Sequence, residues 1–208
     1  MSDFGNLRRH AWALPLEFIM FCGVIGTFAD KNWKHLLIAL FTFGVSLLPL
    51  FVERVLRIHL SIFLQTVYVA FVFGSMFAGE VWGMYSRIWE WDDTIHLISG
   101  LLIGLGAVLG ITLANYRHKS LHLVLWLQSL LVFCFVSTVS VVWEIVEFTS
   151  DQVFGTFSQG NDLPDTMTDL VFGIIGGLMV AILYALHLKK KQVPGFSRII
   201  LTFEKNNR

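Results

Sequence analysis

Six runs in this chain are each long and apolar enough to cross a lipid bilayer, or nearly so, and that constrains the fold more than any other feature. A helix needs about 20 apolar residues to span the hydrocarbon core. The runs lie at 12–29, 35–56, 60–83, 94–116, 120–148 and 166–188. The fifth is longer than a bilayer requires, so it is expected to tilt or project. The first run follows Arg8 and Arg9 as a signal peptide would, but its end, GTFADKN, is a poor cleavage site. The predicted fold is an all-α polytopic bundle of six transmembrane helices, with residues 1–208 forming a single integral membrane domain.

Composition agrees. Charged residues make up 14% of the 208, and mean hydropathy is +0.68. A soluble domain carries nearly twice that charged fraction. The formal net charge is zero, so nothing in the balance argues for a nucleic-acid partner. Cys22 and Cys134 sit in apolar runs and read as packing residues rather than a disulfide or metal pair.

With six spans, the 15 Lys and Arg residues divide twelve to three between the two sides. The twelve lie at the N-terminus, in the second and fourth connections and in the tail from Lys189 to Arg208. The other side holds Lys31, Lys34 and Arg87. The positive-inside rule then places both termini in the cytoplasm. Trp33, Trp82, Trp89, Trp91 and Trp143 fall near the outer interface, and Trp12 and Trp126 near the inner one, as an aromatic belt without chemistry.

Eleven of the 15 acidic residues fall on the outer side, and they are grouped by helical spacing. Asp92 and His96 are four apart at the start of the fourth span. Glu144 and Glu147 are three apart at the end of the fifth, with Asp151 one turn further on. Asp165 and Asp169 are four apart at the start of the sixth. Residues three or four apart share a helix face, so each pair can point at one place. Gly100, Gly104, Gly106 and Gly110, with Gly173, Gly176 and Gly177, offer the small faces that let membrane helices approach closely.

Convergent carboxylates in a low-dielectric site must protonate or share a cation. Carboxylates with one imidazole suit Mg²⁺, Mn²⁺, Fe²⁺ or Zn²⁺. Plainer readings stand beside this one. Asp92 can cap a helix. Asp165 can cap one too, with Asp169 in its first turn. Asp93 and Asp162 are expected to face water. Glu144 and Glu147 resist a plain reading, because a helix C-terminus disfavours negative charge. Glu80 is a candidate for a supporting role, and Glu17 for pairing with Arg8 or Arg9.

The stretches DDTIHLISG, WEIVE and QGNDLPDTMTDLVFGIIGG resemble the YjdF-like inner-membrane proteins, and more distantly the VanZ-like membrane proteins linked to glycopeptide resistance. The first family shows D-x-x-x-H-F, E-x-x-E and Q-G-D-x-x-D-T-x-x-D-M. Asp92, His96, Glu144, Glu147, Asp165, Thr166 and Asp169 fill the matching positions here. Leu97 and Leu170 replace its Phe and Met, and the QGND stretch is one residue longer. The resemblance covers roughly residues 80–185. It implies a six-span core in a bacterial plasma (inner) membrane and weight for the three pairs. The VanZ-like part implies envelope chemistry at the outer face.

The expected function is a divalent-metal-dependent membrane hydrolase or transferase, acting on a lipid or lipid-linked substrate at the extracytoplasmic side. Asp92, His96, Glu144, Glu147, Asp165 and Asp169 are the expected ligands. Glu147, Asp151 or His96 would move protons. The alternatives are an ion- or proton-coupled transporter and a non-enzymatic envelope factor with a structural cation.

Overall fold

A computed structural model describes residues 14–117, 123–156, 158–159, 163–191 and 193–207. Arg8, Arg9, Trp12, Lys119, Asp162 and Arg208, which figure in the sequence reading, lie outside these. Among the described residues the chain is helical throughout and has no strand. Five helical stretches are long and apolar enough to cross a membrane: Trp33–Leu56, Ile62–Val81, Trp91–Arg117, Leu125–Phe154 and Leu163–Leu188. The stretch expected as the first span appears as a shorter apolar helix, α1 (Leu14–Ala29). The chain comprises two compact units, Met1–Trp91 and Asp92–Asn206.

The first unit contains α1, α2 (Trp33–Ser46), α3 (Leu48–Leu56) and α4 (Ile62–Val72), followed by a π-helix over Phe73–Val81 and the short α5 (Met84–Arg87). The predicted 35–56 span is broken at Leu47 for a local reason. Pro49 lacks an N–H for the carbonyl four residues back, that of Val45. The Tyr68 hydroxyl donates to that carbonyl instead, at 3.0 Å. The π-helix widens the backbone where Phe77 enters the core with Met20, Ala39 and Val69. Its ring lies against Gly23, where a Cβ would collide with it.

The second unit contains α6 (Trp91–Arg117), α7 (Leu125–Phe154), α8 (Leu163–Leu188) and α9 (Pro194–Asn207). Its three long helices each bury one stripe at four-residue spacing. On α6 the stripe is His96, Gly100, Gly104, Val108 and Thr112. On α7 it is Glu144, Ser140, Val136, Val132 and Gln128, and on α8 Asp169, Gly173, Gly177, Ala181 and Tyr184. The stripes stack in layers. The small residues set the helix approach: a Cβ on Gly100 would strike the Gly173 carbonyl, one on Gly173 would lie 2.7 Å from Ser140 Oγ, and one on Gly177 2.6 Å from Val136 Cβ. Below them Val108, Val132, Val180 and Ala181 form an apolar layer. At the far end the Tyr184 hydroxyl donates to Gln128 Oε1 at 2.9 Å, and the Asn115 amide donates to the same oxygen at 3.1 Å.

Several expectations are corrected here. Gly106 and Gly110 have open space where a side chain would stand, so only Gly100 and Gly104 of the α6 set make close contacts. Cys22 and Cys134 are exposed free thiols rather than packing residues. The fifth span runs to Phe154, not 148. Glu144 and Glu147 therefore lie well inside α7, beyond the reach of its terminal dipole.

Candidate functional site

Among the described residues, Asp92, His96 and Asp169 form a group whose donor atoms lie within 4.8 Å of one another. His96 Nε2 is 3.4 Å from Asp92 Oδ1, one turn back on α6, and 3.8 Å from Asp169 Oδ1 on α8. Asp92 belongs to the first turn of α6 rather than preceding it. Asp169 sits six residues into α8, about 9 Å along its axis at 1.5 Å per residue, and is 3% exposed. Asp169 is thus a buried interior residue, not part of a solvated first turn.

The second carboxylate pair is divided between two surroundings. Glu144 belongs to the buried stripe, in the same layer as His96 and Asp169, and is 6% exposed. Glu147 is half-buried, and its Oε1 accepts a hydrogen bond from the Trp143 indole N–H at 2.8 Å. Trp143 is therefore more than a belt residue. Glu144, Glu147 and Asp165 lie within electrostatic range of the triad but outside the 4.8 Å group. Of the six expected ligands, three converge and three surround them. Glu80 is an exposed residue of the first unit.

Asp151 has a different task from the one expected. It lies in the last turn of α7, where Gly155 closes the helix at φ +63°. Its Oδ1 accepts from the Thr156 hydroxyl at 2.5 Å and the Ser158 N–H at 2.8 Å, and its Oδ2 from the Gln159 N–H at 3.0 Å. Both oxygens are committed to folding the connection to α8. Gln159, which sequence reasoning passed over, is held by this latch. Its amide reaches the Glu144 carbonyl at 3.4 Å and the Thr166 hydroxyl at 3.2 Å. The QG pair in the quoted motif was the signal available for it.

Electrostatics make the cluster unusual. Residues 88–116 and 120–188 contain no Lys or Arg, so the long helices of this unit bring no basic side chain to their own acids. Among the described residues, Asp169 Oδ1 and both carboxylate oxygens of Glu144 are buried with no hydrogen-bond partner. Buried polar atoms in folded proteins are nearly always partnered. Two ligands held about 2.1 Å from one ion at tetrahedral angles are about 3.4 Å apart. His96 Nε2 stands 3.4 Å and 3.8 Å from the two carboxylate oxygens, close to that spacing, and an O, N, O donor set suits Mn²⁺, Fe²⁺ or Zn²⁺.

Fold and site together define a helical membrane protein with a buried carboxylate–imidazole centre at one end of a three-helix core. Residues 11–190 match the family described as predicted membrane protein DUF2238, and the chain belongs to that family. The YjdF-like resemblance is consistent with this membership; the comparisons do not extend it to VanZ-like proteins. A Thermotoga maritima protein described as uncharacterized is 28% identical over 109 residues, 50% of this chain and 53% of its own length. The chain thus spans about half the length of that relative. No solved structure matches.

Proposed function

We propose that this protein is a divalent-metal-dependent membrane enzyme, a hydrolase or transferase acting on a lipid or lipid-linked substrate. The observation that carries the reading is the Asp92–His96–Asp169 group, with its buried, unpartnered Asp169 oxygen. These three side chains would hold the ion. A bound divalent cation would supply Lewis-acid polarisation of an ester and an activated water.

The other residues have roles that follow from their surroundings. Glu144 and Glu147 place two further carboxyl groups beside the site, and Glu147, half-buried and oriented by Trp143, is the better placed to exchange a proton with a reacting group. Asp151 and Gln159 fix the α7–α8 connection that borders it. A groove of about 470 Å³ beside the site is lined by Glu144, Gln159 and Thr166 together with Val141, Ile145 and Phe148. Those three apolar side chains are 45–57% exposed. A polar end joined to an apolar track suits a molecule with a headgroup and an acyl chain.

A transporter would need a polar path through the core. Here the valine layer separates the site from the Gln128–Tyr184 cluster, which favours the enzyme. Six spans, cytoplasmic termini and a site facing the outside of a bacterial plasma membrane complete the proposal, supported by the twelve-to-three division of basic residues.

The test is elemental analysis of protein purified in mild detergent, beside His96→Ala/Asp169→Asn and Glu144→Gln/Glu147→Gln variants. Near-stoichiometric Mn, Fe or Zn, abolished in the first variant, is expected. A folded wild type that stays metal-free after reloading with Mn²⁺, Fe²⁺ or Zn²⁺ would sink the reading.

A further inference from the structure

The opposite end of the second unit carries a second polar feature, independent of the acidic centre. After Leu188, the last residue of α8, the chain turns through Lys189, Lys190 and Lys191. The turn closes with Lys191 N–H donating to the Leu186 carbonyl at 3.0 Å and Lys190 N–H to the His187 carbonyl at 2.9 Å. Lys190 stands at φ +55°, where glycine or asparagine is the ordinary choice. A lysine held in that conformation carries a local cost, of the kind that persists where a side chain has a task.

α9 then folds back against the bundle. Ile200 and Phe203 are buried, and Phe196 packs beside the Val108–Val132–Tyr184 core. The His187 ring and the Ser197 hydroxyl are hydrogen-bonded at 2.9 Å and fix the elbow. Three and four residues around the helix, Arg198, Leu201, Thr202 and Lys205 form the opposite stripe. That stripe and the lysine turn border an open surface depression of about 650 Å³. Its walls carry Lys190, Lys191, Arg198 and Lys205, with no acidic residue lining it among the described residues. Leu201, 56% exposed, stands among them.

We propose that this depression binds the phosphate headgroup of an anionic phospholipid. Four cations around one concave space favour an anion. The position, directly after the apolar residues of the last long helix, is headgroup depth, where basic clusters meet anionic lipid. Leu201 at the rim and an amphipathic α9 lying beside the bundle suit a lipid over a free anion, because they offer apolar surface to its glycerol and acyl region. The two sources share phosphate chemistry, and the experiment separates them.

Full-length protein in mild detergent is titrated with phosphatidylglycerol, phosphatidylcholine or inorganic phosphate, and bound lipid is counted by native mass spectrometry. Wild type is expected to retain one phosphatidylglycerol at least about tenfold more strongly than phosphatidylcholine, with millimolar phosphate competing weakly. Lys190→Gln/Arg198→Gln/Lys205→Gln is expected to lose that preference, and the charge-preserving Lys190→Arg/Arg198→Lys/Lys205→Arg to keep it. Equal retention of the two lipids by wild type would overturn the proposal, as would a triple Gln variant that keeps the preference. Displacement of the lipid by phosphate at equal concentration would assign the depression to the free anion instead. If the Gln variant fails to fold, Leu201→Asn decides: weakened lipid binding with phosphate binding unchanged supports the lipid, and unchanged lipid binding overturns it.

Discussion

Asp169 Oδ1 lies 3.8 Å from His96 Nε2 across the α6–α8 contact and has no hydrogen-bond partner. A carboxylate oxygen left this way in a buried site costs about 1–3 kcal/mol. Asp169→Asn removes the charge and keeps the shape. Without metal, the variant is expected to be as stable as wild type or more so. Wild type should gain stability on adding Mn²⁺ or Zn²⁺ and lose it with a chelator, while the variant responds to neither. Thermal unfolding in detergent, with and without chelator, reads both effects; a variant that still responds to metal contradicts the ligand assignment.

The same crossing makes a sharp prediction about two glycines ten angstroms or less apart on one helix, at about 1.5 Å per residue. Gly100→Ala places a methyl group against the Gly173 carbonyl. Overpacking of this kind costs about 1–3 kcal/mol, and here backbone must move. Gly106→Ala enters open space and is expected to be neutral or to stabilise by up to about 1 kcal/mol. The denaturation midpoint of Gly100→Ala should fall below that of wild type, and that of Gly106→Ala should hold or rise.

Asp151→Ala separates a structural acid from a ligating one. It removes three hydrogen bonds that tie Thr156, Ser158 and Gln159 to the end of α7, with an expected loss of about 1–3 kcal/mol. Limited proteolysis should cut the α7–α8 connection faster. Metal content should be unchanged, because Asp151 is not part of the Asp92–His96–Asp169 group. Loss of metal with an intact connection would restore Asp151 to the site.

Orientation is tested by labelling. In a Cys22→Ser/Cys134→Ser background, a cysteine replacing Trp89, which is 90% exposed, is expected to react with an impermeant maleimide added to intact cells. One replacing the exposed Asn206 should react only after permeabilisation. The reverse pattern would place the acidic centre in the cytoplasm.

The helical class and the end of the molecule that bears the acids were legible from apolar run length and from three acidic motifs. The detailed site was not, for a physical reason. Pair spacing on one helix suggests that both members point inward. The packed stripes run instead at four-residue steps along each helix, through His96–Gly100–Gly104 and Asp169–Gly173–Gly177. Glu147, three residues from Glu144, falls beside its stripe and is half-buried, while Asp165, one four-residue step before Asp169, is half-buried because it stands in the first turn of α8. The break at Leu47 follows from Pro49, which was visible, while the hydroxyl of Tyr68 that repairs it belongs to another helix and was not. The latch at Asp151 was not legible because its partners are mostly backbone N–H groups, which leave no trace in residue identity.

The valine layer has a consequence for the cell as well as for the fold. Val108, Val132 and Val180, none more than 3% exposed, lie in the apolar layer between the acidic centre and the Gln128–Tyr184 cluster. On the reading proposed above, that layer is insulation: proton exchange at the acids stays on their own side of the core.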